Sequence, residues 1–210
     1  MIKEDSVLEK SETVKKEYNK EIKSIGKALV TLSGFMGLIS MLFFYVLPDI
    51  FYLWHIEVIG YRDIKLVFGG FSSGGYTTRG GTISIYSIRF FEESSIMILV
   101  GLLMILGTLI AFAGTRKSSK GVGILGGILL LLAPILFMGT LLSGGDIFGD
   151  LADAVGLIGQ NLVSGSISDL GITVKWGIGA GTILPLIGGC LGILGGALGV
   201  YDEKKQEHRF

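Results

Sequence analysis

The sequence predicts an all-α membrane protein: a four-helix bundle with a small antiparallel β-sheet cap on the extracytoplasmic side. Three observations carry that expectation. Four runs, at 28–47, 96–113, 122–142 and 177–201, contain no Asp, Glu, Lys, Arg or His. Basic residues are divided unequally between the segments that connect the runs. Residues 48–95 alternate polar with apolar positions, which suits strands rather than a membrane span.

The composition agrees. Half of the 210 residues are hydrophobic, and the mean hydropathy is +0.65, which excludes a disordered chain. Lys plus Arg and Asp plus Glu are 18 each, so there is no net basicity to suggest nucleic acid as a partner. A single cysteine, Cys190, excludes a disulfide framework or a multi-cysteine metal site.

The tail 1–27 holds seven Lys and six acids. Val7, Val14, Tyr18, Ile22 and Ile25 recur at helical spacing within it, flanked by Lys15, Lys16, Lys20, Lys23 and Lys27. Three readings stand side by side: an amphipathic helix on anionic lipid, a helical seam with a partner or second copy, or an extension of the first span into solvent. The first span, 28–47, is too long for a signal-peptide core, and the Pro48-Asp49 that follows is no small-residue cleavage site, so it reads as a retained helix. At 1.5 Å rise, about 20 apolar residues cross the hydrocarbon layer, and each of the four runs approaches or exceeds that length.

The segment 48–95 predicts about three strands, at 55–59, 63–68 and 82–90. Gly60-Tyr61 fits a hairpin turn, and the Gly/Ser stretch 69–81 reads as a mobile loop. The second and third spans, 96–113 and 122–142, are joined by a basic link at 114–121. In 143–176, the spacing of Asp146, Asp150 and Asp153 with neighbouring apolar residues predicts a short amphipathic helix. Residues 171–176 predict a strand that joins the first sheet, since an added strand covers an exposed edge. The fourth span is 177–201, and 202–210 is a polar tail. The tail, link and C-terminus together carry 13 basic residues against 5 in the other connecting segments, which places both termini in the cytoplasm of a multi-pass plasma-membrane protein.

Glycine is the strongest feature after the spans. Gly188, Gly192, Gly196 and the pair Gly195, Gly199 lie four apart in the fourth run, and Gly123 and Gly127 do so in the third. That spacing lines small residues on one helix face and lets two backbones approach closely. These seven are candidate contact residues, for packing within the bundle or for docking a partner or second copy. Tyr52, Trp54 and Trp176 are candidate interfacial anchors, because amphipathic rings favour the headgroup level. No ionisable residue lies within a run, which argues against a proton-coupled pump. Pro134 and Pro185 each free a carbonyl one turn earlier. No acid–base set, phosphate loop or metal-ligand pattern appears, so neither an enzyme nor a cofactor or metal site is expected.

In layout the chain resembles claudin-like tetraspan proteins: one helix, a large β-rich segment opening with Leu53-Trp54, two helices with a short link, a smaller segment with one strand, and a fourth helix. It lacks a Gly-Leu-Trp-Cys-Cys pattern and has no cysteine outside the fourth run, so the resemblance implies a layout and assigns no functional residue. The leading functional expectation is a non-enzymatic assembly, adhesion or accessory protein. Its partners are membrane lipid and another membrane protein or a second copy. The alternative is a small oligomeric pore or transport subunit.

Overall fold

A computed structural model describes residues 2–43, 47, 50–60, 62–66, 71–78, 81–83, 89–90, 95–143, 163–169 and 171–199. Four helices lie among them: α1 (Ile2–Leu42), α2 (Ser95–Lys117), α3 (Lys120–Ser143) and α4 (Ala180–Leu198). All four contain stretches long and apolar enough to cross a membrane. Each helix packs against its sequence neighbours, and α4 closes the ring against α1. The bundle is therefore up-and-down, with every neighbour antiparallel.

The bundle's surface is inverted relative to a protein that folds in water. Leu99, Leu102, Leu109, Leu125, Ile135 and Leu194 are exposed, whereas Gly, Ser, Thr and Ala fill much of the interior. In water that exterior would sacrifice the main driving force of folding; against hydrocarbon it costs nothing. Apolar exteriors on four helices of spanning length are the signature of a multi-pass membrane protein.

Helix α1 runs unbroken for 41 residues, about 60 Å. Residues 2–25 contain neither Gly nor Pro and are rich in good helix formers, so nothing interrupts the turn-by-turn bonding that begins in the polar tail. Tail and first span are thus one rod. Val14, Tyr18 and Ile25 of the tail stripe stay exposed on it. The described helix reaches Leu42, the expected boundary at 47 lies beyond residues that are not described, and the N–H groups of Ile50 and Phe51 both bond Leu47 O. The link between α2 and α3 shrinks from the expected 114–121 to Ser118 and Ser119.

Among the described residues, seven strands form one antiparallel sheet: β1 (Trp54–Val58), β2 (Arg62–Leu66), β3 (Phe71–Thr78), β4 (Gly81–Ile83), β5 (Arg89–Phe90), β6 (Ser164–Asp169) and β7 (Ile172–Ile178). The order is β4-β3-β2-β1-β7-β6, with β5 also on β3. Strand β7 joins β1 as expected, Ile56 opposite Trp176. Two expectations give way. The Gly/Ser stretch 69–81 contains β3, which pairs β2 on one side and β4 and β5 on the other; ladder hydrogen bonds on both edges hold a sequence whose residues taken alone signal a loop. The fourth span does not begin at 177, because Gly177 and Ile178 complete β7 before α4 starts at Ala180. The expected long strand at 82–90 is represented by β4 and β5. The expected amphipathic helix with Asp146, Asp150 and Asp153 lies outside the described residues.

One hydrophobic core runs from sheet to bundle. Trp54, Ile56, Leu66, Val174 and Trp176 share the apolar sheet face and join Met41, Met97, Val100, Met104, Ala133, Phe137 and Leu141 of the helices. The registers Trp54 to Leu66, Trp54 to Ile178 and Val58 to Val174 put those positions on one side, as a period of two requires.

Candidate functional site

Two features could meet a partner: the glycine faces and the part of the sheet turned away from the core. The glycine faces are occupied by the chain itself. A Cβ on Gly195 would lie 2.6 Å from Gly26 O and 2.7 Å from Leu29 Cβ; one on Gly188 would lie 3.1 Å from Met36 Cβ. These residues form the α1–α4 seam. Across the α3–α4 seam, a Cβ on Gly127 would lie 2.6 Å from Ile193 N, one on Gly192 2.8 Å from Gly127 Cα, and one on Gly196 2.8 Å from Ile124 N. Gly123 faces Val30, and Gly199 lies beneath the Lys120 side chain. All seven candidate glycines therefore pack the chain's own bundle, and the close approach that their spacing permits is already used.

The spacing rule missed an equally tight set. Gly26 meets Gly195 on α4 and Gly199 just after it, while Gly107, Gly114 and Gly126 close the α2–α3 seam. The signal was present once small residues are grouped: Gly107-x-x-x-Ala111 on α2, and Gly26, Ser33, Gly37 and Ser40 on one face of α1.

Among the described residues, four hydroxyl side chains, Ser33, Ser40, Thr108 and Thr182, are buried. Thr182 donates to Leu53 O at 2.8 Å and Ser40 to Gly181 O at 2.7 Å. Ser33 Oγ lies against Gly192, and Thr108 Oγ1 against Gly37; neither oxygen has a hydrogen-bond partner among the described residues.

The start of α4 is tied to the chain just before β1. Gly179, Ala180 and Gly181 donate their N–H groups to Leu53 O, Ile50 O and Tyr52 O at 3.0–3.1 Å. These bonds satisfy donors that a helix start leaves orphaned, where α4 has no side-chain cap. Gly179 and Gly181 are required there because a Cβ on either would strike Tyr52.

Trp54 and Trp176 are 1% and 5% exposed, in the core between sheet and helices. Their rings are therefore withdrawn from any lipid surface, and the reading as anchors changes to a structural one: two large rings fill the junction. Trp176 covers Gly165 of β6, where a Cβ would press into the ring. Tyr52 is half-buried, its ring 4.8 Å from that of His55. His55 Nδ1 lies 3.1 Å from Gly177 O, and since a carbonyl only accepts, Nδ1 carries the hydrogen in that bond.

On the sheet face opposite the core, His55 and Glu57 of β1 stand beside Lys65 of β2 and Lys175 of β7, with Glu57 directly across from Lys175. Beyond them, all six residues of β6 are exposed. The register Asp169 to Ile172 makes the first pair of the β6–β7 hairpin a hydrogen-bonded one. The Ile178 N–H to Val163 O bond, flanking the Ser164–Gly177 pair, fits the same alternation. The N–H groups of Ser164, Ser166 and Ser168 thus point away from β7, toward an edge on which no further strand lies among the described residues. Among the described residues no group of three His, Cys, Asp or Glu side chains could hold a metal ion.

No protein-family model matches the chain, and no curated protein matches it either.

Proposed function

We propose that the chain is a non-enzymatic assembly, adhesion or accessory subunit of the plasma membrane, with both termini cytoplasmic and the sheet outside. In this reading the protein acts through the β6 edge of its sheet. The observation that carries it is the state of that strand: Ser164–Asp169 is exposed at every position and contains none of the Lys or Pro residues that commonly blunt an edge. Such an edge accepts a strand from another protein, main-chain bonds supplying affinity and side chains specificity. The glycine faces recede from this function because the bundle uses them internally. For the same reason an oligomeric pore built around the glycine face of α4 finds little support.

The test is crosslinking in the native membrane through Ser166→Cys in a Cys190→Ala background. A discrete crosslinked complex is expected. Ser166→Pro, which removes an outward-pointing N–H and leaves the β6–β7 ladder intact, should abolish capture of that complex by the full-length protein with little change in its stability. An unchanged complex would remove the edge from the proposal. Ion or solute flux through liposomes holding the pure protein would instead favour the pore.

A further inference from the structure

At the end of the bundle away from the sheet, basic side chains from three helices gather at one level. The charge-free part of α1 begins just after Lys27, that of α2 stops before Arg116 and Lys117, that of α3 starts after Lys120, and α4 ends at Leu198. Lys23, Lys27, Arg116, Lys117 and Lys120 are all exposed. Two of them converge. Lys120 Cε lies 2.7 Å, and Lys23 Cγ 3.6 Å, from where a Cβ on Gly199 would stand, so both stems lie over the end of α4. The carbonyls there carry about half a negative charge, against two full cations. Among the described residues a net positive site remains, at the height where helices of spanning length leave the hydrocarbon. In the last turns of α4, on a different face from Gly195, Leu194 and Leu198 are exposed.

We propose that an anionic phospholipid docks here, its phosphate held by Lys23 and Lys120 over Gly199 and its acyl chains lying on Leu194 and Leu198. Charge complementarity selects the headgroup, and the exposed leucines in the last turns of α4 select a lipid over a free anion. Lys16, Lys20, Lys23 and Lys27, spaced four, three and four apart, form one row on α1 and continue the positive surface outward. A juxtamembrane cation near an anionic surface is worth about a fivefold gain in binding.

The full-length protein, purified in a mild nonionic detergent, would be offered equal amounts of dioleoylphosphatidylglycerol and dioleoylphosphatidylcholine, and native mass spectrometry would count the lipids retained. The expected result is at least about a tenfold preference for phosphatidylglycerol, declining as salt is raised. The double variant Lys23→Gln, Lys120→Gln should bring the two lipids close to parity, whereas Lys175→Gln, in the sheet, should change nothing. Tryptophan emission and melting temperature identify a double variant that has misfolded; in that event the salt dependence of the unaltered protein decides. Equal retention of both lipids, a salt-independent preference, a folded double variant with undiminished preference, or displacement by the same concentration of inorganic phosphate would each overturn the proposal. The readout is made in detergent, so it does not depend on which side of the membrane this end occupies or on the role of the β6 edge.

Discussion

Ser40 on α1 donates its hydroxyl hydrogen at 2.7 Å to the main-chain carbonyl of Gly181 on α4, the carbonyl that Pro185 leaves without its partner one turn on. A proline that would cost α4 a hydrogen bond is compensated by a side chain 141 positions before the freed carbonyl. The same bond joins the first and last helices near the sheet.

Ser40→Ala should therefore destabilise the protein by about 1–3 kcal/mol, the cost of a buried carbonyl left unpaired. Pro185→Ala restores an N–H that can reach Gly181 O within the helix. In the Ser40→Ala background it should recover much of the loss. A double-mutant cycle by thermal or denaturant unfolding in detergent measures the coupling. Strictly additive effects would show that the two sites are independent.

The glycines of the seams should separate sharply from those elsewhere. A Cβ at Gly195 meets backbone and Leu29 at under 3 Å, so Gly195→Ala should cost about 1–3 kcal/mol through overpacking of α1 on α4. Gly121 and Gly139 on α3 have nothing within 4 Å, and Ala there should be neutral or stabilising by up to about 1 kcal/mol. Melting temperatures of the three variants give the comparison. A tolerant Gly195 would contradict the seam.

Both tryptophans are core residues, so their emission should be blue-shifted and weakly quenched by lipids brominated near the headgroup. Strong quenching would return them to the interfacial role. Trp176→Ala should cost about 3–5 kcal/mol. Gly165→Val should also destabilise the sheet, since its side chain would press on the Trp176 ring.

The topology can be tested with thiols in a Cys190→Ala background. A membrane-impermeant reagent applied to intact cells should label Ser166→Cys on β6 and miss Lys117→Cys beside the link. The reverse pattern would invert the orientation and remove the sheet from the outer surface.

The sequence alone determined the four helices. Uncharged runs of spanning length admit few other structures when lipid cannot bond the backbone, and those runs appear as α1 to α4 with shifts of a few residues at most ends. Local alternation likewise marked β1, β2 and β7, because a sheet with one buried face writes a period of two into the chain. Only the tertiary structure decided the rest. Strand β3 exists because β2, β4 and β5 lie beside it, and its Gly and Ser residues carry no trace of those neighbours. The seven glycines announced a close contact, but spacing on one helix cannot say whose backbone fills it; the answer lay in Gly26, Val30, Ser33 and Ile124 on other helices. Trp54 and Trp176 have the chemistry of membrane anchors, and only folding the sheet against the helix ends turned them inward. Local pattern records the solvent and the backbone period, whereas the identity of a contact depends on residues far apart in sequence that meet only when the chain closes.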